Sequence, residues 1–273
     1  MCRVLEVSAS GYYAWRSRGT SRRARLNESL TRQIRAIYHE SRQTYGSPRV
    51  YRDLRARGVR CGRSRVERLM RLAGLCSKAQ QRFKATTDSK HHLPVCANLL
   101  KRNFDVAMPN TVWASDITYI WTKEGWMYLA VVLDLCSRRV VGWSMQRRLK
   151  RQLAVEALTM ALSSRQVQRG LIHHSDRGSQ YASLDYQCLL KNAGLRGSMS
   201  GKGNCYDNAV VESFFSTLKK ELVYRREYVT REEARKDIFQ YIAVFYNRRR
   251  LHSSLGYQTP AAYEASKALP KAA

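Results

Sequence analysis

Three acids in a chain of 273 residues stand where hydrophobic patterning places reacting groups: Asp116 in "ASDIT", Asp176 in "LIHHSDRGSQY" and Glu212 in "NAVVESFF". Asp176 ends an apolar run, just beyond the carboxyl end of a strand, where open α/β sheets gather ligands. Glu212 shares a helical stripe with Asn208, Ser216 and Lys219, so one helix face presents an acid and, two turns on, a base. Singly, each acid has an ordinary reading. Asp176 can form a turn or pair with Arg177, Glu212 can be a solvated helix position, and Asp116 can bind a neighbouring backbone amide. Brought together, three carboxylates repel one another, which raises at least one pKa unless cations neutralise them. Mg²⁺, with Mn²⁺ as a substitute, suits such oxygen ligands. Two ions about 4 Å apart activate a water or sugar hydroxyl on one side of a phosphodiester and stabilise the leaving oxygen on the other.

The remainder of the chain looks built to meet a polyanion. Its 49 Lys and Arg against 21 Asp and Glu give a formal charge of +28 and a pI near 10.3. Residues 1–84 hold 21 Lys or Arg against 5 Asp or Glu, the strongest electrostatic footprint in the sequence. A membrane-spanning helix needs about 20 apolar residues in a row, and neither such a run nor a signal-peptide core occurs, so nucleic acid is favoured over membrane. The seven cysteines are scattered and contain no C-x-x-C pair, which argues against a disulfide scaffold or zinc ribbon and suits a reducing cytosol. His91, His92 and Cys96 read as polar linker, because no second Cys/His pair stands at ligand spacing. A basic surface that carries DNA and a small acidic patch that carries metal where the DNA must be cut reconcile the two kinds of charge.

These acids need elements to hold them. Leu26, Leu30, Ile34 and Ile37 recur at helical spacing, Pro48 opens a further helix, Gly58 ends it, and Ser64 with Glu67 reads as a capping box for another that Gly74 closes. Nine arginines between Arg49 and Arg71 lie on the outer faces of this pair, which resembles a helix-turn-helix and reads as a DNA contact, or else as a solvated hairpin. "VSASGYYAW" (7–15) reads as the remnant of a similar small motif. Residues 1–84 thus form a basic helical region, 85–110 a linker packing locally through Leu99, Leu100 and Phe104, 111–225 the core and 226–273 a C-terminal helix and basic tail. The core opens with strand-like runs at 112–121, 127–136 and 139–145, joined by short turns that imply antiparallel neighbours. A helix through Ala154, Leu158 and Ala161, the strand ending at Asp176, a helix near 183–193 and a strand near 196–200 then make an α/β mixed sheet flanked by helices. Helices follow at 205–222 and, behind a Thr230–Glu233 capping box, through Ile238, Tyr241, Ile242 and Phe245. Tyr246 to His252 ("YNRRRLH") reads equally as a DNA contact or a solvated helix end.

The stretches "WASDITYI", "YLAVVLDLCSRRVVGWSM", "HHSDRGSQYAS", "SMSGKGNCYDNAVVESFFSTLKKEL", "YNRRRLHSSLGYQTPAAYE" and "YGSPRVYRDLRARG" resemble the second-frame transposases of bacterial insertion sequences of the insertion-sequence-three group, over nearly the whole chain. Thirty-five residues separate Asp176 from Glu212, as in that family's "D, D, 35, E" pattern, and Lys219 stands seven residues after the Glu. The resemblance implies an RNase H-like, integrase-type catalytic core in which Asp116, Asp176 and Glu212 hold two Mg²⁺ ions and Lys219 contacts DNA near the reacting end. It implies cleavage at element ends, attack of the freed 3′-hydroxyl on DNA with no covalent protein intermediate, and a homo-multimer that joins two ends. Further DNA contacts are expected at Arg49, Arg52, Arg63 and Arg65 of the helical region and at Arg177 and Lys202 beside the acids. The confusable acids are Asp207, expected to cap or charge the first turn of the Glu212 helix, and Asp134, expected at a hairpin end beside Arg138 or, as the alternative, near Asp116. In the family a first-frame segment is often fused upstream; the chain starts at Met1 without it, so that segment or a first-frame protein is the expected partner in recognising ends. A bacterial cytoplasmic, nucleoid-associated location follows. The competing readings are an RNase H-like nuclease without strand transfer and a non-catalytic DNA-binding regulator.

Overall fold

A computed structural model of the protein describes residues 2–78, 96–201 and 205–268. The chain divides into two compact units, Met1–Lys78 and Ala79–Ala273. In the first, α1 (Ala9–Ser17) starts on Ser8, whose hydroxyl accepts from the Gly11 amide, yet none of its residues is buried. The "VSASGYYAW" segment therefore contributes to one exposed helix. Helix α2 (Arg22–Glu40) buries Leu30, Ile34, Ile37 and Tyr38. Leu26, expected on the same stripe, is instead more than half exposed, because it lines an open cleft.

Helix α3 (Ser47–Ala56) has Pro48 in its first turn, where a missing amide costs nothing. It closes through Gly58 at φ 80°, with the Val59 amide donating back to the Leu54 carbonyl. Helix α4 (Arg63–Leu72) begins two residues earlier than its sequence suggests. Its cap is Gly62 with no side-chain hydrogen bond, so the Ser64–Glu67 capping box does not form. Val50, Leu54, Val66, Leu69 and Met70 supply the apolar side chains that α3 and α4 bury.

The second unit is built on a five-stranded sheet of order β3-β2-β1-β4-β5. β1 (Val112–Thr122), β2 (Gly125–Asp134) and β3 (Val140–Gln146) form an antiparallel meander. β2 stops at Asp134, short of the expected run, because the Asp134 carboxylate accepts from the Ser137 amide and hydroxyl and turns the chain. Helix α5 (Arg151–Ser164) then crosses over, which sets β4 (Ile172–Ser175) parallel to β1, and α6 (Leu184–Asn192) sets β5 (Arg196–Met199) parallel to β4. Trp113, Ala130, Val132, Val141, Leu153, Ala157, Leu158, Tyr186 and Leu190 belong to one buried cluster between sheet and helices. Gly142 lets α5 approach closely: a Cβ there would stand 2.2 Å from the Ala157 carbonyl oxygen.

Helix α7 (Ala209–Glu221) packs against β1, and α8 (Arg231–Gln240) runs into a π-helical turn, Tyr241–Tyr246. The Thr230 hydroxyl accepts from the Glu233 amide as expected, while Glu233 reaches back to the Val229 amide. The C-terminal α9 (Pro260–Ala268) is tied to the sheet side by Glu264, which pairs with Arg139 and Arg165. Of the expected linker, 85–95 lies outside the described residues, as do His91, His92 and the tail at 269–273. Residues 96–110 lie against the core, with Leu100 buried and the Leu99 amide donating to Ser198 Oγ. Among the described residues no helix is long and apolar enough to cross a membrane.

Candidate active site

Parallel pairing of β1 with β4 ends at Ser115 and Ser175, so Asp116, still within β1, and Asp176, just past the end of β4, are the next residues beyond that pairing. Sheet topology thereby juxtaposes acids sixty positions apart in sequence. Glu212 arrives from the first turn of α7, whose start is pinned to β1 by Asn208: its Nδ2 donates to the Ser115 carbonyl at 3.1 Å. All three acids are half-buried. Asp116 Oδ1 accepts from its neighbour's amide, Ile117 N, at 2.8 Å, and Asp176 Oδ1 accepts from Gly178 N at 2.9 Å. A Cβ at residue 178 would stand 3.0 Å from that same oxygen, which explains the glycine in "DRGSQ".

Burial pushes the Asp116 carboxyl well above the ordinary carboxylate range, and the charge of Asp176 pushes it further. The Ile117 amide pulls it back, Glu212 raises it again and Lys219 lowers it. Burial also raises Glu212. One electrostatic patch therefore contains the three acids and the lysine. Among the described residues, no group of three His, Cys, Asp or Glu side chains is arranged as a ready metal cage, so the acids share a patch without closing on one point. Lys219 is buried, and its Nζ lies 4.8 Å from the centre of the Tyr119 ring. Burial brings its pKa down to about 8, against the upward pull of Asp116, so the side chain remains an ammonium at neutral pH.

The two confusable acids are otherwise engaged. Asp134 faces Trp113 across the β1–β2 ladder, whereas Asp116 faces Val131. Its oxygens accept from Asn110 N, Ser137 N and Ser137 Oγ, a turn-forming role in which Arg138 donates instead to the Phe104 carbonyl. Asp207 does not cap α7, whose N-cap is Asn208. It is buried and accepts from Asn98 Nδ2, Arg102 Nε and Gly201 N. Burial alone would raise its pKa, but the Gly201 amide and Arg102 bring it below the ordinary value.

Sequence reading missed the polar layer beneath the acids. His173 Nε2 bonds Ser115 Oγ at 2.8 Å and Tyr186 Oη at 3.0 Å, all buried, and His174 joins Ser198 and Ser200 across β4 and β5. Two orphaned polar atoms stand there as well. Tyr181 Oη, which feels the charges of Asp116 and Asp176, and Asn208 Oδ1 are buried with no hydrogen-bond partner. The sequence signal was weak: "HHSD" inside a strand marks the histidines only once period-two alternation and partner strands are known.

Among the expected DNA contacts, Arg63 is exposed, Arg65 Nε donates to Asn27 Oδ1, and Arg49 stacks 5.6 Å from the Tyr45 ring. Arg52 is exposed on α3, and Arg177 Nε donates to the Ser200 carbonyl. Lys202 lies outside the described residues. The nine arginines are not all turned outward for a ligand: Arg57 bridges Glu40 and Asp53 at 2.6 Å each. Arg65 and Arg68 line a cleft of 670 Å³ with Arg22, Arg23, Leu26 and Ser64. "YNRRRLH" is divided: Arg248 and Arg249 are exposed, while Asn247 and Arg250 are buried. Asn247 bonds both the amide and the carbonyl of Val140, and Arg250 forms a buried pair with Glu221.

Residues 106–205 match the family model of the integrase core domain, residues 193–260 a second integrase core domain model, and residues 25–83 an HTH-like domain. The chain is 47% identical, over 97% of its length and 92% of the relative's, to transposase InsF for insertion sequence IS3A of Escherichia coli strain K12. It is 45% identical to the insertion element IS600 uncharacterized 31 kDa protein of Shigella sonnei, over 96% of this chain and 97% of that one. In fold it is similar to a chain of the simian T-cell lymphotropic virus intasome in complex with PP2A regulatory subunit B56 gamma, with a TM-score of 0.51 and 16% identity over 78% of this chain and 69% of that chain.

Proposed function

The chain belongs to the InsF transposases of IS3-type insertion sequences, and on that premise we propose that Asp116, Asp176 and Glu212 carry its phosphodiester chemistry. The observation that supports this most is geometric: the β1–β4 register sets Asp116 and Asp176 side by side just beyond the last paired residues, and Glu212 comes from the first turn of the helix that Asn208 ties to Ser115. An all-oxygen donor set fits a hard divalent cation, and the orphaned Tyr181 Oη and Asn208 Oδ1 beside it fit the same reading. Asp116, Asp176 and Glu212 would hold Mg²⁺, or Mn²⁺ in its place, two ions to the site. When bound, such ions supply Lewis-acid activation of the attacking oxygen and neutralise charge on the leaving one.

The chain's own groups do the rest. The middle of β1 and the end of β4 fix two carboxylates on a rigid sheet, and Asn208 sets the angle at which α7 delivers the third. Lys219, charged at neutral pH, contacts a phosphate near the reacting 3′ end and offsets the acids' repulsion of DNA. No side chain at the patch forms a covalent intermediate in this scheme: a water oxygen attacks the phosphorus at the element end and displaces the 3′-oxygen, and the freed 3′-hydroxyl then attacks a phosphodiester of DNA directly, displacing its 3′-oxygen in turn. DNA contacts at Arg49, Arg52, Arg63, Arg65, Arg177 and Lys202, action as a homo-multimer with a first-frame partner, and location at the bacterial nucleoid belong to the same proposal.

The test is incubation of the purified protein with labelled element-end DNA and Mg²⁺. Joined products support the transposase scheme, nicks alone indicate a nuclease, and retention without cleavage indicates a regulator. Asp176→Asn is expected to abolish cleavage while binding persists; unimpaired cleavage in that variant rejects the assignment.

A further inference from the structure

We propose that Tyr119, Trp121 and Trp126 form a platform on which unpaired bases of the reacting DNA end stack. Beyond Ser115, β1 leaves β4, and β3 accompanies β2 only from Tyr128 onward, so Tyr119–Thr122 and Gly125–Met127 form a two-stranded ribbon. One face of this ribbon is buried through Ile120, Thr122 and Met127, so side chains on the alternate positions of the other face point away from the core. The sequence nevertheless places three large aromatic rings there, with Tyr119 36%, Trp121 57% and Trp126 44% exposed. The rings are ordered against one another: Trp126 meets Tyr119 edge-on at 5.1 Å and Trp121 at 4.8 Å.

The occupant is identified by what surrounds the rings. Lys219, already part of the acidic patch through Asp116, stands over Tyr119. Exposed Lys123 sits at the ribbon's turn 4.0 Å from the exposed Glu227, and Arg231, which pairs with Glu124, donates from Nε to the Trp126 carbonyl, so Lys219 is the cation that lies on a ring face. Exposed flat faces with an ammonium on one ring, in a chain of net charge +28, suit a partner that is both anionic and planar. A paired duplex offers its phosphates but hides its base faces; an unpaired nucleotide offers both. Reach agrees with this. At about 3.3 Å per strand residue, Tyr119 and Trp121 lie roughly 10 and 17 Å from Asp116, or about three to five stacked nucleotides along a strand.

The platform rests on the acidic patch as the reacting centre, and its test separates the two. Full-length protein is titrated in metal-free buffer with one element end, blunt or carrying an unpaired extension of about five nucleotides. The extension is expected to strengthen binding about tenfold. Trp121→Ala combined with Trp126→Ala should erase that gain while blunt-end affinity and oligomeric state stay as in the unsubstituted protein, and Phe at both positions should restore it. An equal loss on blunt and extended ends, no gain from the extension at all, or a changed oligomeric state by light scattering would overturn the platform, the last marking the surface as a contact between copies. Because no cleavage occurs in this buffer, failure here leaves the Asp176→Asn cleavage result standing, and the converse holds.

Discussion

A histidine side chain buried among neutral partners can hold no proton without losing hydration energy, and His173 is such a case. Burial, and then the neighbouring His174, bring its pKa down to about 3, against about 6.5 when unfolded. Between those values the unfolded chain binds the extra proton, so stability present above pH 6.5 is lost as pH falls, by about 2 kcal/mol at pH 5. Asp116, Asp134 and Glu212, whose pKa values are raised, act in the opposite direction, so the comparison must be with a variant rather than with a bare pH series. Denaturant titrations of the unsubstituted protein and of His173→Gln are expected to show the steeper loss between pH 6.5 and 5 in the former; identical slopes would exclude His173 as the cause. At this scale the sequence revealed the acids better than their support. Asp116, Asp176 and Glu212 stand on elements that hydrophobic period alone locates, whereas the bonds from Ser115 and Tyr186 to His173 depend on strand pairing and helix packing. Asp134, expected at a hairpin end, forms that turn, whereas Asp207, expected to cap or charge the first turn of α7, binds the Gly201 amide and Arg102, partners that no sequence spacing announces.

Elements explain why two residues of "YNRRRLH", Asn247 and Arg250, turn inward while Arg248 and Arg249 stay exposed. After Gln240 the helix widens, and the Asn247 and Arg250 amides donate five residues back, to Ile242 and Phe245. An extra residue per turn rotates every later side chain relative to a 3.6-residue count, and no pattern in the apolar residues announces it. Arg250 is thereby turned inward, where Nε and Nη2 bind both oxygens of Glu221, which also accepts from Tyr241 Oη. Removing one member of such a buried pair strands the other charge. Arg250→Met is therefore expected to destabilise the protein by about 3–5 kcal/mol in denaturant titration. The exposed neighbour Arg248 provides the contrast: its replacement should change stability by less than about 0.5 kcal/mol. Packing of β3 on α5 makes a second element-scale prediction. With the Ala157 carbonyl and Ala161 crowding a Cβ at Gly142, Gly142→Ala should cost about 1–3 kcal/mol and lower Tm by several degrees, despite the usual gain in strand propensity. The meander and crossovers themselves were legible, because short turns force antiparallel neighbours and an intervening helix forces a parallel one.

Over the whole molecule, charge decides how DNA is held, and it does so unequally. A net +28 would suggest that any arginine contributes alike, yet an arginine whose charge is already matched by carboxylates releases no counterion when phosphate arrives. Arg57 is so matched, by Glu40 and Asp53. Arg63 begins α4 in solvent, beside an uncapped helix end. Composition alone showed the basic excess of the N-terminal region but could not rank its members, since ranking requires the helix faces. The measurable quantity is the slope of log affinity against log salt, which falls by about 0.9 for each phosphate neutralised. Arg63→Ala is expected to weaken binding on every DNA sequence tried and to reduce that slope by about one. Arg57→Ala should leave the slope unchanged, and its effect on stability should be small because both partners of the pair keep contact with water. If the two variants shift the slope equally, the α3–α4 face is not a selective DNA surface, and the interaction reduces to the overall charge of the chain.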